Sequence, residues 1–196
     1  KSYTITLKFE LGIQLAASDI NLTQNGCTAS DKNYLAKLRW ATGNLKSTGS
    51  TNYIWAPSQT ETGYYYTWYS TYTGNKTTNN TDPCSKLNTA YYGTGWRTPS
   101  ENDYIPLSRC TDKVLTNGGM WFMNKSIGIF LLAAGTIGNG GGSATSNPNY
   151  STAKTGQYWT SKKDGENRGI SFTFNPSSTF MFSDYQATGI PVRCVK

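Results

Sequence analysis

The chain has 196 residues, of which 36% are hydrophobic and 14% aromatic, and it carries a formal net charge of +7. That length suffices for one well-packed core and is short for two full domains. Only 15% of the residues are charged, below the ~25% of an average soluble domain. The basic residues are scattered, and the densest group is Lys162-Lys163 with Arg168 nearby. Without a basic stripe or a nucleic-acid motif, we expect no nucleic acid among the partners.

Cysteine and histidine usage limits the kinds of site. The chain has no C-x-x-C pair and no histidine, which argues against a zinc site. Four well-separated cysteines in a chain rich in Thr, Asn and Gly favour two disulfides in an oxidising compartment, with free buried thiols as the alternative. The residues alone leave all three pairings open. The cysteines are Cys27, Cys84, Cys110 and Cys194.

Enzymatic chemistry lacks its usual residues. Without histidine there is no Ser–His or Cys–His pair of nucleophile and base. The nearest candidate carboxylates, Asp164, Glu166 and Asp184, have no motif around them, and glycoside hydrolysis needs a defined pair. We therefore predict a protein that is not an enzyme, with no catalytic residue and no cofactor.

No targeting or membrane-spanning segment is visible. The longest apolar stretch, Ile127 to Ala134, is interrupted by Gly128 and predicts a buried strand, since it is too short to cross a bilayer. A chain that begins at Lys1 without Met is expected to be part of a longer product.

The first thirty residues read as a separate segment. Apolar and polar residues alternate from Tyr3 to Phe9, which predicts a half-buried strand. Ile13 to Leu15 continues as a second extended piece, and Asp19 to Ser30 is polar and turn-like. We predict that residues 1–30 are the last strand of a preceding domain plus a linker, and that residues 31–196 are one domain.

The next elements are strand-like and aromatic. Leu35 to Ala41 and Tyr53 to Trp55 predict strands, and a dense aromatic run extends from Tyr64 to Tyr69. If that run is extended, alternate rings point to opposite faces. We place Trp68 in the core, because Trp is highly buried on average; a ring platform for sugar or peptide is the alternative.

One helix has a clear start. Ser100 is a good N-cap with Asp103 three residues later, which is close to a capping box. The helix is predicted to extend to about Arg109, and Pro106 indicates that it is short.

The remainder predicts β structure, with a flexible loop at residues 139–143. Many short antiparallel strands, one or two short helices and long loops predict an α+β fold. The strand-like segments are 121–123, 127–132, 158–160, 169–174, 180–182 and 190–195.

Five motifs follow one another between Leu38 and Val195. They are WATGNL at 40–45, DPC at 82–84 with GWRTP at 95–99, IFLLAAG at 129–135, GQYWTS at 156–161 and PVRCV at 191–195. In this order they resemble the major paralogous domain of Fibrobacter- and Bacteroides-type bacteria, which implies a fold like that of C-type lectins and formylglycine-generating enzymes. Residues 3–17 separately resemble the last strand of fimbrillin-type pilin domains.

The resemblance assigns roles to several residues. It implies that Trp40, Trp96 and Trp159 are core residues. Separately, the forked guanidinium of Arg97 predicts a hydrogen-bond network at the helix start. An enzyme of the formylglycine-generating fold is the outsider, because that chemistry uses cysteines late in the chain and only Cys194 is available there.

The resemblance also bears on the disulfides. The cysteines of the DPC and VRC motifs tend to occur together in the family, which implies Cys84–Cys194 and leaves Cys27 with Cys110. The analogy with lectins would instead join Cys110 to Cys194.

Calcium-dependent sugar binding lacks its motif. The nearest match to the sugar-binding sequence of C-type lectins is Asn147-Pro148-Asn149, which has no acidic residue. Calcium needs clustered carboxylates, so this segment predicts a turn, and we predict no metal site.

The expected ligand surface consists of long loops, which carry function when a rigid scaffold holds them. It comprises residues 136–154, 162–168 and 183–186, where amides, charges and rings offer hydrogen bonds and stacking. The candidate ligand-binding residues are Asn139, Asn147, Asn149, Tyr150, Arg168, Asp184 and Tyr185.

Together the two resemblances imply an exported, cell-surface adhesion module of a fimbrillin-like protein at the tip of a fimbria, associated with the outer membrane. The expected ligand is a glycan or a host protein. A structural or assembly role within the pilus is the alternative, in which the partners are other pilin subunits or a preceding pilin domain and the first strand adds to a neighbouring sheet edge.

Overall fold

A computed structural model describes residues 12–23, 26–47, 52–71, 79–116, 118–123, 128–137 and 154–196. The helices are α1 Ala29–Leu35, α2 Thr89–Tyr92 and α3 Glu101–Cys110, with 3-10 helices at Ala17–Asp19 and Pro83–Lys86. The strands are β1 Ile13–Gln14, β2 Arg39–Trp40, β3 Leu45–Ser47, β4 Tyr53–Trp55, β5 Tyr65–Tyr66, β6 Lys113–Thr116, β7 Gly119–Phe122, β8 Ile129–Leu132, β9 Gly156–Lys163, β10 Arg168–Phe174, β11 Thr179–Tyr185 and β12 Ile190–Pro191.

The strands form small antiparallel sheets. Two sheets have three strands, in the orders β11-β10-β9 and β6-β7-β8, and the pairs β1-β2, β3-β4 and β12-β5 are two-stranded. Short antiparallel strands with a few helices make the fold α+β, as predicted. The described residues contain three α-helices, where the sequence predicted one or two.

Helix α1 was missed. The prediction of a strand from Leu35 to Ala41 is wrong at its start, because Leu35 ends the helix and only Arg39–Trp40 is a strand. A capping box starts the helix: Asp31 N donates to Thr28 Oγ1 over 3.1 Å, and Thr28 N donates to Asp31 Oδ2 over 3.1 Å. Such reciprocal bonds satisfy backbone donors that the first turn leaves unpaired.

Helix α3 begins where the sequence indicated. The carboxylate of Asp103 accepts hydrogen bonds from Ser100 N at 2.5 Å and Ser100 Oγ at 2.8 Å. The helix continues through the buried Pro106 to Cys110. Arg97 donates to both carboxylate oxygens of Asp103, over 2.6 and 2.8 Å. The structural role expected of Arg97 is thereby confirmed.

The aromatic run is only partly a strand. Tyr65–Tyr66 pairs with Ile190–Pro191, and the left-handed φ of 43° at Tyr69 interrupts the extended conformation. Trp68 is 4% exposed, so its predicted place in the core is confirmed. Trp40, Trp96 and Trp159 are buried as well.

Two large apolar clusters form most of the core. In the first, Tyr104 of α3 stacks on Phe172 of β10 with ring centroids 4.5 Å apart and lies 5.3 Å from Trp40. The second contains Trp55 and Trp159 and includes buried residues of β4, β5 and β12. Both rest on aromatic rings, which bury large areas.

The N-terminal segment is packed onto the same core. Ile13–Gln14 pairs with β2, and Leu15 and Ile20 are buried in the first cluster. The assignment of residues 1–30 to the last strand of a preceding domain plus a linker stays a prediction, and the described part of this stretch packs against the first cluster. The strand predicted from Tyr3 to Phe9 lies outside the described residues.

Two disulfides join distant parts of the chain, Cys27 to Cys110 and Cys84 to Cys194. This is the pairing implied by the family resemblance, and it differs from the lectin analogy that joined Cys110 to Cys194. The first bond attaches the N-terminal segment to the end of α3. The second attaches the 3-10 helix at Pro83–Lys86 to the last strand-like residues.

Candidate functional site

Three of the seven predicted ligand residues lie in the described part of the chain, on β10 and β11. Arg168 and Tyr185 are paired neighbours, whereas Asp184 is the next residue along β11 and therefore points to the opposite face of the sheet. The structure brings the first two together and separates the third. The other four residues, Asn139, Asn147, Asn149 and Tyr150, lie outside the described residues.

Arg168 and Tyr185 form a small surface cluster. The Arg168 guanidinium lies 4.5 Å from the centroid of the Tyr185 ring, a cation–π contact. Arg168 also donates to Ser183 Oγ over 2.8 Å and to the Ser183 carbonyl over 2.7 Å. These bonds fix the arginine, and Tyr185 remains 56% exposed.

Asp184 is held by polar neighbours on the other face. Its carboxylate accepts a hydrogen bond from Ser171 Oγ at 2.7 Å and one from Gln157 Nε2 at 3.2 Å. Burial raises the pKa of the Asp184 carboxyl, and the bond from Ser171 and the charge of Arg168 only partly oppose this shift. The carboxylate is therefore engaged within the sheet.

The structure shows a second surface that the sequence did not indicate. A pocket of about 340 Å³ is lined by Asn52, Ile54, Asn88, Tyr91 and Tyr92. Its volume lies at the lower end of the ~300–1,000 Å³ range of small-molecule sites. At 69% exposure, Tyr91 is the most exposed large apolar side chain in the described residues. The lining combines amides, rings and one aliphatic side chain, without a charged group.

Strand β4 and helix α2 build this pocket. Tyr53 and Trp55 of β4 point into the core, so that Ile54 between them faces outward. Asn88 caps α2, since its Oδ1 accepts a hydrogen bond from Ala90 N at 3.0 Å. The cap fixes the single turn that presents Tyr91.

Aromatic rings pack against the pocket residues Tyr91 and Tyr92. The ring of Tyr92 lies 4.5 Å from Trp55 and 4.8 Å from Tyr91. Tyr92 OH accepts a hydrogen bond from Trp55 N at 3.3 Å, and its carbonyl accepts one from Trp96 Nε1 at 2.8 Å. Rings held on several sides present a fixed surface to a ligand.

The polypeptide before α2 is braced. Asp82 accepts hydrogen bonds from Cys84 N at 2.9 Å and Thr98 Oγ1 at 2.7 Å. Cys84 is bonded to Cys194, and Leu87 forms a bridge to Tyr53 of β4. These links hold residues 82–92 against β4, so both sides of the pocket are positioned by the fold.

Sequence reasoning missed the pocket because its sides are distant in the chain. The local signals were an N-cap, Asn88, and the pair Tyr91-Tyr92 before Gly93, which together indicate a helical turn ending in exposed rings. The Tyr53–Leu87 bridge, a long-range contact, completes the site.

The acidic side chains of the described residues are dispersed. That part of the chain contains no group of three or more Cys, Asp or Glu side chains able to hold a metal ion. Asp164 and Glu166 are exposed on the β9–β10 hairpin, and Asp184 is engaged by Ser171.

Over the residues that the structure describes, no helix combines the length and apolar character needed to span a bilayer.

Comparison of the chain with family models, with curated proteins and with solved structures gave no match.

Proposed function

We propose that this protein is an exported, non-enzymatic binding module at the surface of the cell, that it belongs to a fimbrillin-like protein at the tip of a pilus, and that it binds a glycan. The observation that carries this proposal is the pocket beside Tyr91. There an exposed ring and two asparagine side chains line a concave, uncharged surface.

The lining suits a neutral sugar. A pyranose has apolar C–H faces and a rim of hydroxyls, so it can stack on a ring and exchange hydrogen bonds with amides. Asn88 Oδ1 is occupied by Ala90 N, which leaves its amide NH₂ as the donor for a sugar hydroxyl. The uncharged lining gives an acidic ligand no electrostatic advantage.

The structural roles of the motifs support the assignment to a lectin-like domain of the major paralogous type. The motif residues contact one another across the domain: Asp82 binds Thr98, Cys84 is bonded to Cys194, and Ala41 N donates to the Cys194 carbonyl over 2.9 Å. Contacts between the motifs are what a shared structural signature would require, and in this sense they support the proposal. The two disulfides support export, since such bonds persist in oxidising compartments.

A glycan array with the wild-type protein and two matched variants tests the proposal. Tyr91→Ala and Tyr185→Ala each remove one exposed tyrosine. We expect array binding that falls about tenfold in Tyr91→Ala, as loss of a stacking ring predicts, and that persists in Tyr185→Ala. Binding lost only in Tyr185→Ala would instead place the ligand on the loop surface predicted around Arg168. Silence across the array would contradict glycan binding.

An assembly role is the second candidate, favoured by strand β11. This strand is at the edge of its sheet and exposes Phe180 at 40% and Phe182 at 47%. Edge strands with exposed apolar side chains are sites for adding another strand.

Binding to purified fimbrillin-type pilin subunits tests the assembly role. We expect Phe182→Lys on β11 to weaken such binding, while Val114→Lys at an exposed position of β6 serves as the control. Equal binding by both variants would remove β11 from consideration.

A further inference from the structure

A second pocket lies between helix α3 and strand β11, well apart in sequence from the Tyr91 site. It measures about 300 Å³. Two cations line it, Arg109 and Lys113, and the apolar lining is supplied by Ile105, Phe172, Phe180 and Met181. The lining contains no acidic side chain. An apolar pocket with convergent charges of one sign has the composition of a site for an oppositely charged organic molecule.

Hydrogen bonds fix the walls of this pocket. The hydroxyls of Ser108 on α3 and Thr179 on β11 lie 2.5 Å apart, which ties the helix to the edge strand. Lys113 Nζ donates to the Ser108 carbonyl over 2.8 Å, so its ammonium is held at the pocket. A ligand would meet a site that is already formed.

The two cations have capacity for a further partner. The Arg109 side chain is exposed and makes no hydrogen bond or ion pair with any other described residue. The ammonium of Lys113 has three donors, of which one is used by Ser108. Lys113 as a whole is exposed, and partial burial of its ammonium lowers the pKa of Lys113, because loss of hydration disfavours the charged form. An anion placed beside it would compensate for that lost hydration.

The adjacent groove is less suited to an anion. It lies on the other side of Ile105 and Arg109 and includes Asp31 and Tyr34. The carboxylate of Asp31 would repel an acidic ligand there, so the favourable position is the side between α3 and β11.

We propose that the pocket between α3 and β11 binds a small organic carboxylate whose apolar body is about the size of a six-membered ring. The carboxylate pairs with Arg109 and Lys113, and the apolar body rests on Ile105, Phe180 and Met181. This site is independent of the saccharide pocket beside Tyr91.

Amide chemical shifts of the ¹⁵N-labelled protein test the ligand class with matched probes. Cyclohexanecarboxylate has the proposed charge and body, cyclohexanecarboxamide has the body alone, and inorganic phosphate is an anion without an apolar body. We expect saturable shifts around residues 105–113 and 179–181 with the carboxylate and weak responses to the others. Equal shifts with the carboxamide or with phosphate would overturn the proposal, as would no saturable shift with the carboxylate.

Charge-matched variants test the residues. Arg109→Gln combined with Lys113→Gln removes two cations from the pocket, and Lys37→Gln combined with Lys163→Gln removes two exposed cations elsewhere. We expect the first pair to weaken binding of cyclohexanecarboxylate at least about tenfold, since it removes both charge-assisted bonds to the carboxylate. An equal loss in the second pair would show that only overall charge matters and would overturn the site.

The Lys113 side chain gives a readout that needs no variant. Its ¹³Cε shift, followed with pH in the wild-type protein, reports the protonation of that ammonium, and Arg109 is the other charged group lining the pocket. We expect saturating cyclohexanecarboxylate to raise the pKa of Lys113, because an adjacent carboxylate favours the charged form. An unchanged titration would contradict the proposed pairing.

Discussion

Two arginine side chains are held by different kinds of partner, one by a carboxylate and the other by backbone carbonyls. Arg97 is paired with the buried carboxylate of Asp103. Arg193 is wholly buried and donates to backbone carbonyls, at 3.0 Å to Ala41 and 2.7 Å to Phe130. Burial lowers the pKa of Arg193, and the five donors of the guanidinium make such carbonyl bridges possible.

The first prediction concerns Asp103, which accepts bonds from Arg97, Tyr34 and Ser100. Replacing it with Asn leaves Arg97 without its ion-pair partner, and we expect the free energy of unfolding to fall by about 2–4 kcal/mol. The control is Glu101→Gln, which breaks an exposed pair with Lys162 and should cost less than about 1 kcal/mol. Urea unfolding followed by Trp fluorescence measures both values, and equal losses would contradict this role of Asp103.

The same carboxylate predicts a pH dependence. Burial acts to raise the pKa of Asp103, but hydrogen bonds from Arg97, Tyr34 and Ser100 outweigh it and lower that pKa below its ordinary value. The stabilisation is therefore complete above about pH 4, the ordinary value, and is lost as pH falls through the lowered pKa. We expect the stability difference between wild type and Asp103→Asn to shrink in that acidic range. A difference that stays constant there would be inconsistent with a lowered pKa.

At the scale of elements, local sequence signals predicted helix α3 but not helix α1. Helix α3 could be predicted because Ser100 and Asp103 form a local capping box before apolar positions. Helix α1 has a similar box, Thr28 with Asp31, but Leu35 is its only buried residue, so it shows no apolar period. Because the helix lacks an apolar period, the apolar residues from Leu35 to Ala41 predict a strand instead.

The sheet β9–β10–β11 offers a prediction at Gly169. A Cβ at this position would lie 2.2 Å from the ring of Trp68, whose Nε1 donates to the Thr160 carbonyl over 2.9 Å. We expect Gly169→Ala to cost about 2–3 kcal/mol by overpacking and to alter the near-ultraviolet circular dichroism of Trp68.

Gly165→Ala is the companion variant, in the hairpin between β9 and β10. Its φ is +74° and nothing lies within 4 Å of the added Cβ, so only backbone strain of about 1–2 kcal/mol applies. The aromatic signal should stay as in wild type. An unchanged aromatic signal in Gly169→Ala would contradict the close packing of Trp68.

At the scale of the whole molecule, the disulfides and the last residue of the sequence link distant parts of the described domain. Arg39 and Lys196 exchange backbone hydrogen bonds of 2.9 and 2.8 Å, which joins β2 to the end of the described chain. The sequence predicted the α+β class from its many short strands. The Tyr91 pocket could not be predicted, because contacts between β4 and residue 87 create it.

Removing each disulfide separately should have different local effects. Cys84→Ser with Cys194→Ser, and Cys27→Ser with Cys110→Ser, should each lower the free energy of unfolding by about 2–5 kcal/mol. Only the first pair releases the polypeptide that leads to Asn88 and Tyr91. We expect hydrogen exchange in residues 84–92 to accelerate in the first variant and not in the second. Equal protection of this segment in both variants would contradict the bracing role of Cys84–Cys194.

The central claim is that the pocket beside Tyr91 binds a neutral saccharide. The most direct measurement is chemical-shift mapping of the ¹⁵N-labelled protein with a panel of neutral methyl hexosides. We predict saturable shifts at residues 52–54 and 88–92, with an affinity that falls about tenfold in Tyr91→Ala. Shifts confined to Arg168 and Tyr185, or no saturable shift with any hexoside, would contradict the claim.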